Sequence, residues 1–156
     1  MLTPVTKLPR ELIEIGRKRM ALEVQLIPEN KKEILSACKL LGLTLVVVGY
    51  DGVADSGQVE SISYFKDEKN LELNDNPEIF WHEPKCDGDN VMSIKSKKLL
   101  KDAIESISYQ IIFSNYPDWY IDDGSNGELN FNVNEDSIDL THNVWFTDVT
   151  TTEHTI

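Results

Sequence analysis

The amino-acid sequence predicts an α+β domain: an antiparallel sheet of four to five strands with helices on one face, in the order α-α-β-β-(β)-α-β-β. Three observations carry that reading. Apolar residues recur at helical steps through residues 13–27 and again through 34–41. The pattern then switches to short β-branched or strictly alternating runs. Clusters of Asp, Asn, Ser and Gly separate those runs as hairpin turns do.

The first helix is expected to start at Leu8-Pro9, because proline in a first turn leaves no amide unpaired and presets φ. Ile13, Gly16, Met20, Val24 and Ile27 form its apolar stripe, and Pro28 is expected to end it. A second helix over 29–41 presents Ile34, Leu35, Cys38 and Leu41 on one face, with Gly42 as a left-handed cap. Leu43–Tyr50 is β-branched and lacks a polar face, the pattern of a strand covered on both sides at its centre. Val59–Phe65 reads as its hairpin partner across a turn cluster at 51–57. Residues 66–92 are the least regular, with one short strand at Glu78–Glu83. Ser96 is placed to cap a third helix reaching Phe113, with Leu100, Ile104, Ile107 and Ile111 buried.

In the final stretch Leu129, Phe131 and Val133 alternate with Glu128, Asn130, Asn132 and Asn134. Ile138, Leu140, His142 and Val144 alternate in turn with Asp139, Thr141, Asn143 and Trp145. A hairpin pairing Val133 with Ile138 sets Leu129 opposite His142 and Glu128 opposite Asn143.

A chain of 156 residues fits one domain, 1–156, large enough to bury about two thirds of its unfolded surface. Hydrophobic content of 40% with 27% charged residues suits a folded core. The longest apolar stretch, Leu43–Val48 broken by Thr44, is far short of the ~20 residues of a membrane helix. Pro4, Lys7, Arg10 and Glu11 interrupt any leader-like apolar run, so a cytoplasmic location is expected, with Cys38 and Cys86 as reduced thiols. The formal charge of −12 is unevenly shared. Lys101 is the last basic residue, and the 55 residues after it hold eleven carboxylates. Residues 1–41 carry eight basic and five acidic side chains, a net +3, which leaves −15 for the remainder. Such an acidic half repels nucleic acid and attracts basic protein surfaces or cations. Nothing in the pattern sets an oligomeric state.

Two segments resemble a known family. They are Val46-Val47-Val48-Gly49-Tyr50-Asp51-Gly52-Val53-Ala54-Asp55-Ser56-Gly57-Gln58-Val59 and the stretch from Pro117-Asp118-Trp119 through Asp122-Asp123-Gly124-Ser125-Asn126-Gly127-Glu128 to Leu140-Thr141-His142-Asn143. Together they look like an uncharacterised family, a domain of unknown function, of small bacterial and phage-associated proteins. It shares a Y-x-G-x-x-D-S-G-Q hairpin and a D-G-x-x-G-E strand followed by an L-x-H-N strand. The resemblance covers about half the chain, leaves out residues 1–30 and 66–92, and implies a compact α+β fold without naming a reaction.

The turn 51–58 packs Asp51, Asp55, Ser56 and two glycines between apolar strands. Such oxygens suit a hard cation, yet ordinary turn chemistry, with glycine at positive φ, accounts for the same residues. Asp55-Ser56-Gly57 echoes a serine-protease nucleophile tripeptide, but nothing local activates Ser56. Asp122–Glu128 departs from an EF-hand loop at Gly124 and Val133, where ligands are required. His142 is in phase with the apolar side of its strand, as a hydrogen-bonded packing residue is. A nucleic-acid mimic would put carboxylates at alternate strand positions, whereas this face carries mainly amides.

We therefore expect a non-enzymatic binding protein, without metal or cofactor, whose partner is a protein with a basic surface. The expected contact residues are Asp51, Asp55, Gln58, Trp119, Asp122, Asp123, Glu128, Asn130 and Asn143. A metal-assisted hydrolase or nuclease using Asp51, Asp55, Glu128 and His142 is the second reading. A subunit of a larger assembly, docking its +3 N-terminal helices on an acidic neighbour, is the third.

Overall fold

Pro9–Leu40 forms one 32-residue helix, α1, that runs through Pro28 without a break. A computed structural model describes residues 9–53, 56–120, 124–146 and 149–155, the side chain of Val53 excepted. The two helical segments read from the sequence are both present, but Pro28 does not separate them. Pro28 is exposed, and the carbonyl it leaves without a helical partner belongs to Val24, on an exposed stretch where water can serve. Burial on either side of it offsets the proline: Leu26 before it and Asn30, Ile34, Leu35, Ala37 and Cys38 after it all face the core. The helix ends as expected. Gly42 takes φ 75°, its amide bonds Lys39 O at 3.0 Å, and Leu43 N bonds Cys38 O at 3.0 Å, closing a Schellman turn.

Along the chain follow β1 (Leu45–Val53), β2 (Ser56–Lys66), β3 (Lys69–Leu71), β4 (Glu78–Asp87), β5 (Asn90–Leu99), α2 (Leu100–Asn115), β6 (Ser125–Asn132) and β7 (Ser137–Val144). Five strands make an antiparallel sheet in the order β3-β2-β1-β6-β7, while β4 and β5 pair separately. The protein is an α+β fold with β1 at the centre of its main sheet. Val46, Val48, Tyr50, Tyr64, Leu129, Phe131 and Val133 point to one side of that sheet. There they join Ile34, Leu35 and Cys38 of α1, Leu100, Ile104, Ile107 and Ile112 of α2, and Trp81 of β4 in one core. Residues Leu45, Val47 and Gly49 are only half-buried, so β1 is covered on one face and not on both.

Three local expectations change. The first hairpin pairs as far as Val53↔Ser56, so Asp51, Gly52 and Gly57 belong to strands rather than to a loop. The ladder also skips Glu60 between Gly49↔Ser61 and Tyr50↔Val59, a bulge in β2. In the last hairpin Leu129 faces Leu140 and Glu128 faces Thr141, two residues from the register expected. Val133 is drawn out of that pairing because its amide bonds Thr44 O at 3.1 Å, and Asp136 at φ 53° helps close the longer turn. A shift of two keeps every side chain on its predicted face. Finally, Ser96 sits in β5 and does not cap α2. Asn76 does: its Oδ1 accepts from Lys101 N at 3.0 Å.

The β4–β5 ribbon is tied to α1 by Asn30, which is fully buried. Its Nδ2 donates to His82 O and its Oδ1 accepts from His82 N, both at 2.8 Å. The side-chain amide thus pairs with main chain as a neighbouring strand would. Among the described residues no helix is long and apolar enough to cross a membrane.

Candidate functional site

The outer face of the main sheet, opposite the core, is built by strand alternation. Gln58, Asp51, Asn126 and Asn143 form one row across β2, β1, β6 and β7. Ser61, Gly49, Glu128 and Thr141 form the next, and Ser63, Val47, Asn130 and Asp139 the third. Five expected contact residues, Asp51, Gln58, Glu128, Asn130 and Asn143, therefore share one surface. Asp51 and Glu128 are diagonal neighbours on adjacent strands, roughly 7 Å apart. Asp55, Asp122 and Asp123 lie outside the described residues.

Short polar contacts order this surface. Asn143 Nδ2 donates to Asn126 Oδ1 at 3.2 Å, Asn132 Nδ2 to Asp139 Oδ2 at 2.9 Å, and Gln58 Nε2 to Glu60 Oε1 at 2.8 Å. Gly49 leaves a shallow depression of about 390 Å³ among Glu60, Asn126, Glu128, Thr141 and Asn143. No lysine or arginine occupies any strand position of these three rows.

Trp119 does not belong to that surface. It is only 3% exposed, and its ring lies on the inner side of the first hairpin. A Cβ added at Gly57 would fall 2.5 Å from Trp119 Cη2, and one at Gly52 would fall 2.8 Å from Cε3. Neither glycine has positive φ. Both are glycine because the indole needs the space, which corrects the turn-chemistry reading of 51–58. Ser125 Oγ donates to Trp119 O, and Tyr50, Tyr109, Phe113 and Tyr120 pack around the ring. Trp119 Nε1 is buried without a hydrogen-bond partner among the described residues.

His142 faces inward, as its phase predicts, and so lies on the opposite side of the sheet from Glu128. Its Nδ1 is 2.5 Å from Tyr50 Oη, and its ring stacks on Tyr116 at 3.7 Å between centroids. The set Asp51, Glu128 and His142 therefore does not converge, and the described residues contain no group of three or more His, Cys, Asp or Glu able to hold a metal ion. Burial lowers the His142 pKa from its usual value.

Around the end of β6 and β7 lies a cleft of about 660 Å³, lined by Asn115, Tyr116, Asp118, Trp119, His142 and Trp145 among others. Its rim is apolar and open: Trp145 is 59% exposed and Phe146 84%. In the sequence Trp145 stands only in the outward alternation with Asp139, Thr141 and Asn143. Its position is explained by Trp145 N bonding Gly124 O at 2.9 Å, beyond the last strand pair.

Residues 26–156 match the model of a family of unknown function, DUF6878. The chain belongs to that family. No curated protein and no solved structure matches it. The DUF6878 match takes in residues 66–92, which the sequence resemblance left out. It opens at Leu26, the first buried residue of α1, so the stretch of α1 before it lies outside both the family match and the core.

Proposed function

We propose that this DUF6878 protein is a non-enzymatic binding protein that engages a basic protein surface through the outer face of its main sheet. The observation that supports this is the composition of two complete rows, Gln58-Asp51-Asn126-Asn143 and Ser61-Gly49-Glu128-Thr141. They offer carboxylates, amides and hydroxyls, with no cation and no large apolar side chain. A solvated sheet face needs no such bias, because mixed charge keeps an exposed sheet soluble equally well. A one-signed, hydrogen-bonding face steers a partner of opposite charge and fixes its register. An inhibitor, immunity or regulatory role in a bacterial or phage system fits the sequence resemblance.

The test is capture from a native host extract by the wild-type chain and by the double variant Asp51→Lys, Glu128→Lys. A partner retained at low salt, released by raised salt and lost by the double variant is the expected result. A complex that persists in high salt, or that the double variant keeps, overturns the reading.

A second reading, an assembly subunit, is favoured by α1. Before Leu26 the helix buries no side chain, and Leu12, Ile13, Met20 and Val24 are each about half exposed or more. An apolar stripe of that length on one helix is a docking surface in many assemblies. Size-exclusion chromatography with light scattering, comparing the chain with its Met20→Glu variant, tests it. A monomer in both cases leaves the stripe without self-association.

A further inference from the structure

The cleft beside His142 has aromatic walls and a carboxylate at its edge. It sits at the C-terminus of α2, where the helix dipole is negative and where no basic residue occupies the last turn. Asp118 supplies that carboxylate, and among the described residues no lysine or arginine lines the cleft. Tyr116, Trp145 and Phe146 present partly or largely exposed rings. His142 adds no opposing charge when neutral, the form that its burial favours. Ring faces attract cations through their quadrupoles, and the attraction grows when water is displaced. A carboxylate, a helix C-terminus and aromatic faces around one opening all select the same chemistry, an organic cation.

We propose that this cleft receives an arginine or lysine side chain of a protein partner. This deepens the proposed engagement of a basic protein surface by the sheet face and rests on it for the source of the cation. Geometry links the two: Asn126 and Asn143 lie on the outer face directly beside Ser125, His142 and Val144, which line the cleft. A basic segment crossing the sheet face can turn its next cationic side chain around the end of β6 and β7.

The experiment needs no identified partner. The full chain is titrated with Nα-acetyl-arginine amide, Nα-acetyl-lysine amide and the uncharged Nα-acetyl-norleucine amide, and binding is read by heteronuclear NMR at the Trp145 indole and the Tyr116 amide. Choline is titrated in parallel. The expected result is saturable shifts with the two cationic amides and clearly weaker binding of the norleucine amide. Trp145→Ala and Asp118→Asn, both substitutions of exposed side chains that leave the core intact, should each weaken the cationic amides by about threefold to fivefold. Equal binding of the norleucine amide, or no saturable shift with any amide, overturns the proposal. Preferred binding of choline overturns the assignment to a protein side chain. The sheet-face variant Asp51→Lys, Glu128→Lys should still bind the free amides, so failure of the sheet-face reading is distinguishable from failure of the cleft.

Discussion

Tyr50 Oη and His142 Nδ1 lie 2.5 Å apart, joining the central strand of the sheet to its edge across Gly127. Burial first, then the neighbouring Tyr116, pushes the Tyr50 pKa up to about 12, so the hydroxyl keeps its proton and has it to donate. In the neutral tautomer with its proton on Nε2, His142 Nδ1 accepts that bond. Because burial lowers the His142 pKa, the unfolded chain binds the proton more readily than the folded one. Stability from this residue is therefore full above the unfolded value near ~6.5 and is lost as pH falls through it toward the lower folded value. Urea midpoints between pH ~7.5 and ~5 should fall more steeply in the wild type than in His142→Gln. Parallel curves for the two proteins would show that His142 is not protonated differently on folding.

The two cysteines should separate cleanly by reactivity. Cys38 is buried in the α1 interface, and burial pushes its thiol up to about 12, whereas Cys86 is exposed near the end of β4. A thiol reagent at neutral pH should modify Cys86 alone in the native protein and both after denaturation. Cys86→Ser should then be unreactive until it unfolds. Rapid labelling of Cys38 in that variant would place it outside the core.

What the sequence disclosed depended on whether the cause was local. The α+β class, the Gly42 cap and the inward phase of His142 follow from periodicity and backbone chemistry, which neighbours in the chain determine. The outward phase of Glu128, Asn130 and Asn143 was legible because alternation fixes a face whatever the register, and a slip of two changes nothing, whereas Asp51 and Gln58 read as turn residues until the first hairpin was seen to pair beyond them. The continuous α1 was not legible, since the contacts that offset Pro28 come from β4, more than fifty residues away. The same holds for β5. Its sequence carries helix formers, and its strand geometry comes from pairing with β4, where Lys95 Nζ sits 4.0 Å from the Phe80 ring centroid. Gly52 and Gly57 look like turn residues in sequence, and only the packed indole shows that they make room.

Asn30 should be the most sensitive polar residue in the fold. Asn30→Ala leaves His82 N and O facing the helix without their partner, at a cost of about 1–3 kcal/mol for each group that stays dry. Asn30→Asp removes the donor alone and also buries a charge, so it should destabilise at least as much. Chemical denaturation checks both. A loss below about 0.5 kcal/mol for Asn30→Ala would mean that water replaces the amide freely.

The indole platform leads to the last prediction, in which glycine and tryptophan are coupled. Gly57→Ala forces a methyl group against the Trp119 ring, an overpacking cost of about 1–3 kcal/mol. Gly52→Ala should cost as much or more, because its methyl meets Trp119 O and Tyr120 Cα at 2.9 Å, and backbone yields less than a ring edge. Trp119→Leu alone loses ring packing with Tyr50, Tyr109 and Phe113 and opens a cavity. In the double variant Gly57→Ala, Trp119→Leu, the added methyl occupies space that the ring has left, so the two losses should sum to more than the loss observed. Thermal unfolding of the four proteins gives that coupling directly. Strict additivity would show that Gly57 is required for a reason other than the indole, and the turn-chemistry account of 51–58 would regain its place.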